Sequence, residues 1–122
     1  MNAEMLKNRT KKFAVEIAKF CEGLPYKISL TTYSKQLIRC SSSVGANYRA
    51  ACRAKSLADF INKLKIVEEE TDESIYFMEL IEELHPSNKS NLPSLMKEGN
   101  ELLSIVVASI NTARKKESAR PI

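Results

Sequence analysis

A run of carboxylates is the feature of the sequence that most resembles a reactive site: Glu68, Glu69, Glu70, Asp72 and Glu73. Helical bundles that hold two metal ions use such carboxylates, but they also need Glu-x-x-His pairs from two helices. The single histidine, His85, precedes a proline, and no Glu-x-x-His pair occurs. We therefore expect a solvated acidic face or ion pairs with arginines, and no metal ion or cofactor.

The cysteines point to no catalytic or metal site either. Cys21, Cys40 and Cys52 are odd in number and form no C-x-x-C pair, which argues against a disulfide framework and a zinc site. We expect buried, reduced thiols. The first residues contain no apolar signal-peptide core, and no run approaches the roughly 18 apolar residues of a membrane span. The sequence therefore predicts a cytoplasmic protein that is not an enzyme, since no nucleophile–base set or glycine-rich phosphate loop occurs.

The elements that position these residues are predicted to be long helices. In 122 residues there are only 3 glycines and 4 prolines, too few for the turns of a sheet protein. Apolar residues recur at helical spacing in four segments, about 8–23, 31–52, 56–84 and 93–116. We expect a single all-α domain over residues 1–122, an antiparallel up-down-up-down four-helix bundle with frayed ends at about 1–6 and 117–122.

Each predicted helix has one apolar stripe that should form the core. The members are Phe13, Ile17, Phe20 and Leu24; Tyr33, Leu37, Cys40, Val44, Tyr48 and Ala51; Phe60, Leu64, Val67, Thr71, Ile75 and Met78; and Leu95, Leu102, Val106, Ile110 and Ala113. Gly45 in mid-helix costs about 1 kcal/mol relative to alanine, so it indicates close packing against a neighbouring helix. Glu68 falls within the third stripe, where a buried charge needs a partner such as Arg39.

The third helix has a second apolar face, which we call the α3 apolar face: Ile66, Tyr76, Phe77, Leu80 and Leu84. It lies nearly opposite the main stripe and would be exposed to water in a lone bundle. Exposed apolar patches of this kind usually mark a partner surface, so we expect self-association through it. The alternative is that helix drift and a covering tail bury these side chains within the chain.

Charges are distributed unevenly, although the net charge is only +4. No Asp or Glu occurs between Leu24 and Ala58. An antiparallel path would bring together the start of the first helix, the link between the second and third, and the end of the fourth. This basic end would collect Lys7, Arg9, Lys11, Lys12, Arg49, Arg53, Lys55, Arg114, Lys115, Lys116 and Arg120. The opposite, acidic end would collect Glu22, Glu79, Glu82 and Glu83.

A basic end of this kind favours a phosphate backbone, which it binds by releasing counterions and without reading sequence. The candidate contact residues are Arg49, Arg53, Lys55, Lys11, Lys12, Arg114, Lys115 and Lys116. Asn47 and Tyr48 would add hydrogen bonding and base stacking. The alternative is an ordinary solvated lysine-rich surface, since no helix-turn-helix, RNP, KH or zinc motif is present.

The stretch from Gln36 to Ser74 resembles the four helix bundle proteins, also called 23S ribosomal RNA intervening-sequence proteins. The similarity lies in VGANYRAACRA at Val44–Ala54, in Asp59-Phe60, and in the three glutamates 68–70. The family positions that match one by one are Gln36, Arg39, Asn47, Ser56, Phe60 and Glu73. Many members have N-I-A-E-G where this chain has Asn47–Ala51, so any role of that glutamate does not transfer.

The resemblance implies a left-handed bundle that assembles as a homo-oligomer, a pentamer in relatives. Similar accessory proteins of retroelements imply RNA or DNA and a reverse transcriptase as partners. Two functions remain open: a nucleic-acid-binding oligomer, or a protein-interaction or scaffold module that binds no nucleic acid. A carboxylate–metal enzyme is a third and weaker alternative.

Overall fold

The computed structural model describes residues 1–87 and 89–119, and four helices account for most of them. They are α1 (Ala3–Glu22), α2 (Ile28–Cys52), α3 (Leu57–Leu84) and α4 (Leu92–Ser118). Each helix packs against the helices before and after it, and α1 also packs against α4. Within the described residues, the backbones of the diagonal pairs, α1 with α3 and α2 with α4, do not approach each other closely. The predicted all-α four-helix bundle is confirmed, and the described residues contain no strand.

The first helix begins five residues earlier than predicted, so most of the segment expected to fray belongs to α1. Asn2 caps the helix, because its side-chain oxygen accepts a hydrogen bond from the Met5 N–H at 2.8 Å. Leu6 is then held in the core with 5% of its surface exposed. At the other terminus α4 continues to Ser118, and residues 120–122 of the predicted frayed tail lie outside the described residues.

The third helix starts at the predicted cap. The Ser56 hydroxyl accepts a hydrogen bond from the Asp59 N–H at 3.0 Å. The Asp59 carboxylate accepts one from the Lys55 N–H at 3.2 Å, one residue before the position that a capping box would use. The helix ends at Leu84, and His85 follows it in a non-helical conformation, because a residue before proline is pushed out of the helical region.

The core consists of one stripe from each helix, largely as the spacing predicts. Its fully enclosed members include Ile17, Leu37, Val44, Leu64, Val67, Met78, Ile81 and Leu102. Phe20, Leu24, Tyr33 and Phe60 are only partly buried against it. Burial of such side chains contributes about 1.5–3 kcal/mol each, which makes these stripes the main source of stability.

Glycine lets the helices approach closely at two points. A Cβ built on Gly45 would lie 3.2 Å from the Thr10 Oγ1, so α1 and α2 nearly touch there. Thr10 is itself buried, and its hydroxyl donates to the Leu6 carbonyl at 2.9 Å. A Cβ on Gly99 would lie 3.1 Å from the Ile75 Cγ1. Both mid-helix glycines are therefore explained by packing, as expected for Gly45.

The Gly45 contact predicts a position-specific loss of stability. Gly45→Leu should lower the free energy of unfolding by about 1–3 kcal/mol, because the added side chain must displace α1 at Thr10. Ala46→Leu is the matched control, since Ala46 is adjacent and exposed. Urea unfolding followed by circular dichroism measures both. Equal midpoints for the two variants would contradict the close approach.

Candidate nucleic-acid interface

The bundle brings the basic segments of the sequence to one end. Thr10 of α1 faces Gly45 of α2, which sets the start of α1 beside the end of α2. Leu57 at the start of α3 and Lys116 near the end of α4 line a common groove. The α2–α3 turn therefore lies beside the last turns of α4. We keep the name basic end for this region and acidic end for the opposite one.

All eight candidate contact residues are exposed, but the structure does not bring all of them together. Lys11 and Lys12 lie at the middle of α1, and Lys12 lines a cleft with the first turns of α4. The six that collect at the basic end are Arg49, Arg53, Lys55, Arg114, Lys115 and Lys116. None of the charged side-chain nitrogens of the eight residues lies within 4.0 Å of a carboxylate of residues 1–87 or 89–119. Lys12 is the least isolated, because it lines a cleft that also contains Glu16 and Glu98. Arg120 lies outside the described residues. The candidate contact residues other than Lys12 are therefore available to an external anion.

Arg9, also expected at the basic end, is instead used within the bundle. Its guanidinium joins α1 to α4 through bonds to both oxygens of Glu98 and a 3.0 Å bond to Glu101. The bond to Glu98 raises the pKa of Arg9 above its usual value. This residue is therefore a structural cation rather than a candidate for binding nucleic acid.

Arg39 makes the equivalent connection between α2 and α3. It lies 2.7 Å from Glu73 and 3.3 Å from Glu70, and its Nε donates to the Gln36 side-chain oxygen at 3.2 Å. The expected Arg39–Glu68 pair is therefore wrong. The Glu68 side chain is partly exposed on α3, so its charge needs no buried partner.

Three of the six family positions meet in this cluster, namely Gln36, Arg39 and Glu73. The other three are dispersed. The Asn47 amide donates to the Ser43 carbonyl at 2.9 Å within α2, and Ser56 caps α3. Phe60 lines the groove between α3 and α4 at the basic end. Half of the matching family positions therefore belong to a hydrogen-bonded cluster that joins α2 to α3, and the six do not form a single surface.

Two expectations about α2 are wrong. Tyr48 is only 8% exposed, so its ring is unavailable for stacking on a base. Burial and the neighbouring Cys52 raise the pKa of Tyr48 to about 12. Cys52, expected to be buried, is exposed at the last helical position of α2, whereas Cys21 and Cys40 are buried as predicted. Burial raises the pKa of both Cys21 and Cys40.

The α3 apolar face is partly open to solvent. Ile66, Tyr76 and Leu84 are exposed by 37%, 55% and 52%, while Phe77 and Leu80 are partly buried. Phe77 packs between Tyr76 and Tyr33, with ring centroids 5.6 and 6.0 Å away. Within the described residues, Tyr33 of α2 packs on Phe77, while Ile66, Tyr76 and Leu84 stay exposed.

Neither a metal cluster nor a membrane span occurs among residues 1–87 and 89–119. No three His, Cys, Asp or Glu side chains are grouped so that they could hold a metal ion. In the same residues, no helix combines the length and apolar character needed to cross a bilayer. In the acidic run of α3, Glu70 and Glu73 bind Arg39.

The fold and surface define the protein as an antiparallel four-helix bundle with a basic end, whose opposite end carries the exposed glutamates Glu22, Glu79, Glu82 and Glu83 together with the exposed lysines Lys19, Lys27, Lys35 and Lys89. The chain belongs to the family of 23S rRNA-intervening sequence proteins. The model of that family matches residues 5–108. It is similar to the crystal structure of a protein with unknown function from the S23 ribosomal protein family of Bacteroides thetaiotaomicron. That similarity has a TM-score of 0.81 and 32% identity, and covers 91% of this chain and 99% of the other. No curated protein matches the chain. The resemblance found in the sequence is confirmed.

Proposed function

We propose that this protein binds nucleic acid through its basic end, by contacting phosphates rather than bases, and that it is not an enzyme. The observation that supports this is the contrast between two sets of cations. Arg9 and Arg39 are used in ion pairs that join helices, whereas the cations of the α2–α3 turn and the last turns of α4 have no carboxylate partner in the described residues.

The physical basis is counterion release from the polyanion. Side chains from the α2–α3 turn and from α4 form one cationic region, which suits a phosphate backbone that passes across several elements. The exposed members of this region are lysines and arginines, and Tyr48 is buried. Binding should therefore depend strongly on salt and weakly on sequence. The family description names an RNA, which makes RNA the first polyanion to test.

Removing four cations at the basic end should weaken binding. The variant combines Arg49→Gln, Arg53→Gln, Lys115→Gln and Lys116→Gln. Each lost phosphate contact lowers the slope of log K against log salt by about 0.9 for a duplex and about 0.7 for a single strand. We expect at least roughly a tenfold weaker affinity at low salt, which corresponds to about 1.4 kcal/mol. Fluorescence anisotropy with labelled RNA and DNA measures both quantities.

The matched control removes the same charge away from the basic end: Lys27→Gln, Lys35→Gln, Lys89→Gln and Lys97→Gln. All four lysines are exposed and lack an ion pair within the described residues. Equal losses in the two variants would show that net charge alone matters. No binding of the natural protein to any RNA or DNA at low salt would refute the proposal.

The second candidate is a scaffold function in which copies associate through the α3 apolar face. It is favoured by the exposure of Ile66, Tyr76 and Leu84 on one helix. The resemblance to the family supports a homo-oligomer, a pentamer by analogy, and leaves room for a protein partner such as a reverse transcriptase. Such a module would need no nucleic acid. The free thiols Cys21, Cys40 and Cys52 support a reducing, cytoplasmic location for either function.

Polar substitutions on this face should disrupt self-association. Ile66→Ser with Tyr76→Ser removes two exposed apolar side chains, and sedimentation velocity should show a shift from oligomer to monomer. Met5→Ser with Val15→Ser is the control, because these side chains are similarly exposed but lie on α1. A natural protein that stays monomeric at all concentrations would contradict the candidate, as would an oligomer unchanged by the α3 substitutions.

A further inference from the structure

The six cations of the basic end form two clusters. Arg49 and Arg53 lie at the end of α2, with Lys55 in the link that follows, and we call these three residues the turn cluster. The α4 cluster consists of Arg114, Lys115 and Lys116. All six side chains are exposed, so both clusters can be reached by a ligand from outside the bundle.

The start of α3 lies between the two clusters. The third helix packs against both α2 and α4, whereas the backbones of α2 and α4 do not approach each other closely within the described residues. Leu57, in the first turn of α3, lines a groove together with Lys116 of the α4 cluster. Because the axes of adjacent helices are about 8–10 Å apart, the ends of α2 and α4 are separated by more than that distance. A polyanion that contacts both clusters therefore needs phosphates along two separate lines.

The basic end keeps its positive charge when the nearby carboxylates are counted. These belong to Glu4 at the start of α1, Asp59 at the start of α3 and Glu117 beside the α4 cluster. Asp59 is used within the chain, since its side chain accepts a hydrogen bond from the Lys55 N–H and its Oδ1 lies 4.0 Å from the Lys63 Nζ. Glu4 and Glu117 then oppose six cations, so a clear positive excess remains.

The aromatic rings of the chain are poorly placed for stacking on bases at this end. The sequence has 4 Tyr, 4 Phe and no Trp, and every ring belongs to a described residue. Tyr48 is buried, and Phe60 is partly buried against the core. The most exposed rings are Tyr26, in the α1–α2 link at the opposite end, and Tyr76, about 28 Å along α3 from its first residue. A base at the basic end would therefore find only the partly buried Phe60.

Counterion release then decides between a duplex and a single strand. Log K changes with log salt by about 0.9 for each phosphate neutralised on a duplex and by about 0.7 on a single strand. For about six contacts, and relative to about 1 M salt, the difference favours the duplex roughly 30- to 40-fold at about 50 mM salt. Stacking could offset this difference, because each stacked base raises the affinity for a single strand by roughly 5- to 150-fold.

We propose that the basic end binds a double-stranded nucleic acid in preference to a single strand. This preference rests on the nucleic-acid binding proposed above and names the form of the ligand. The turn cluster and the α4 cluster contact the two lines of phosphates that border one groove, which is about 6–12 Å wide in a B-form duplex. A single strand has only one such line, and the described residues of the basic end offer its bases no fully exposed ring.

Two complementary RNA strands and the duplex that they form test the preference. The strands are chosen without self-complementarity, and fluorescence anisotropy measures their binding to the full chain at low salt. We expect the duplex to bind at least roughly tenfold more tightly than either strand, with a ratio that decreases as salt increases. Equal or tighter binding of either strand would overturn the preference and leave the proposed function standing. If none of the three probes binds, the proposed function itself is refuted.

A ring added at the basic end should remove the preference. Asn111 is exposed on α4 one turn before Arg114 and Lys115, so Asn111→Trp places an indole beside the α4 cluster. Affinity for the single strands should rise by roughly fivefold or more, while affinity for the duplex stays nearly unchanged. Asn100→Trp is the control, since Asn100 is also exposed but lies about 16 Å earlier on α4.

Circular dichroism should show unchanged helix content in both tryptophan variants, because both positions are exposed. Equal single-strand affinities of the two variants would show that a missing stacking surface is not what disfavours a single strand. That result would overturn the proposed preference.

Discussion

Burial of one apolar stripe from each helix is the constraint on which the rest of the structure depends. The stripes are covered by packing each helix against the helices before and after it, and α1 closes the bundle against α4. Gly45 lets α1 approach α2 at Thr10, and Gly99 leaves room on α4 for the side chains of Ile75 and Phe13. Because the links are short, consecutive helices run antiparallel, and segments far apart in the sequence meet at the same end of the bundle. The segregation of charge therefore follows from the packing.

Much of this fold could be predicted because periodicity is a local property. The second, third and fourth helices begin and end within a few residues of the predicted limits, and the stripes of Leu64 and Leu102 are buried as expected. The start of α1 was missed, although Asn2 is a standard capping residue and Leu6 continues the stripe. The polar Thr10 interrupts that stripe in the sequence, and only the contact with Gly45 shows why it is buried.

The surfaces were harder to predict, since they depend on the offset between helices. A helical wheel places Glu68 within the main stripe of α3, which suggested Arg39 as a partner for its charge. In the structure Arg39 pairs instead with Glu70 and Glu73, because the pairing depends on how far α2 is offset along α3. The sequence likewise could not show that Arg9 is used between α1 and α4. The basic end was predictable in outline, because it needs only the order of the helices. Only the structure identifies which cations at the basic end have no carboxylate partner among the described residues.

Mapping the surface that contacts a polyanion by NMR tests the central claim most directly. The ¹⁵N-labelled protein would be titrated with a short RNA at low salt, and the shifts of its backbone amides followed. If the basic end binds the RNA, the amides of residues 49–58 and 111–118 should shift, with little change at residues 22–35 and 79–87. Shifts concentrated at the acidic end, or no shifts at any RNA concentration, would contradict it.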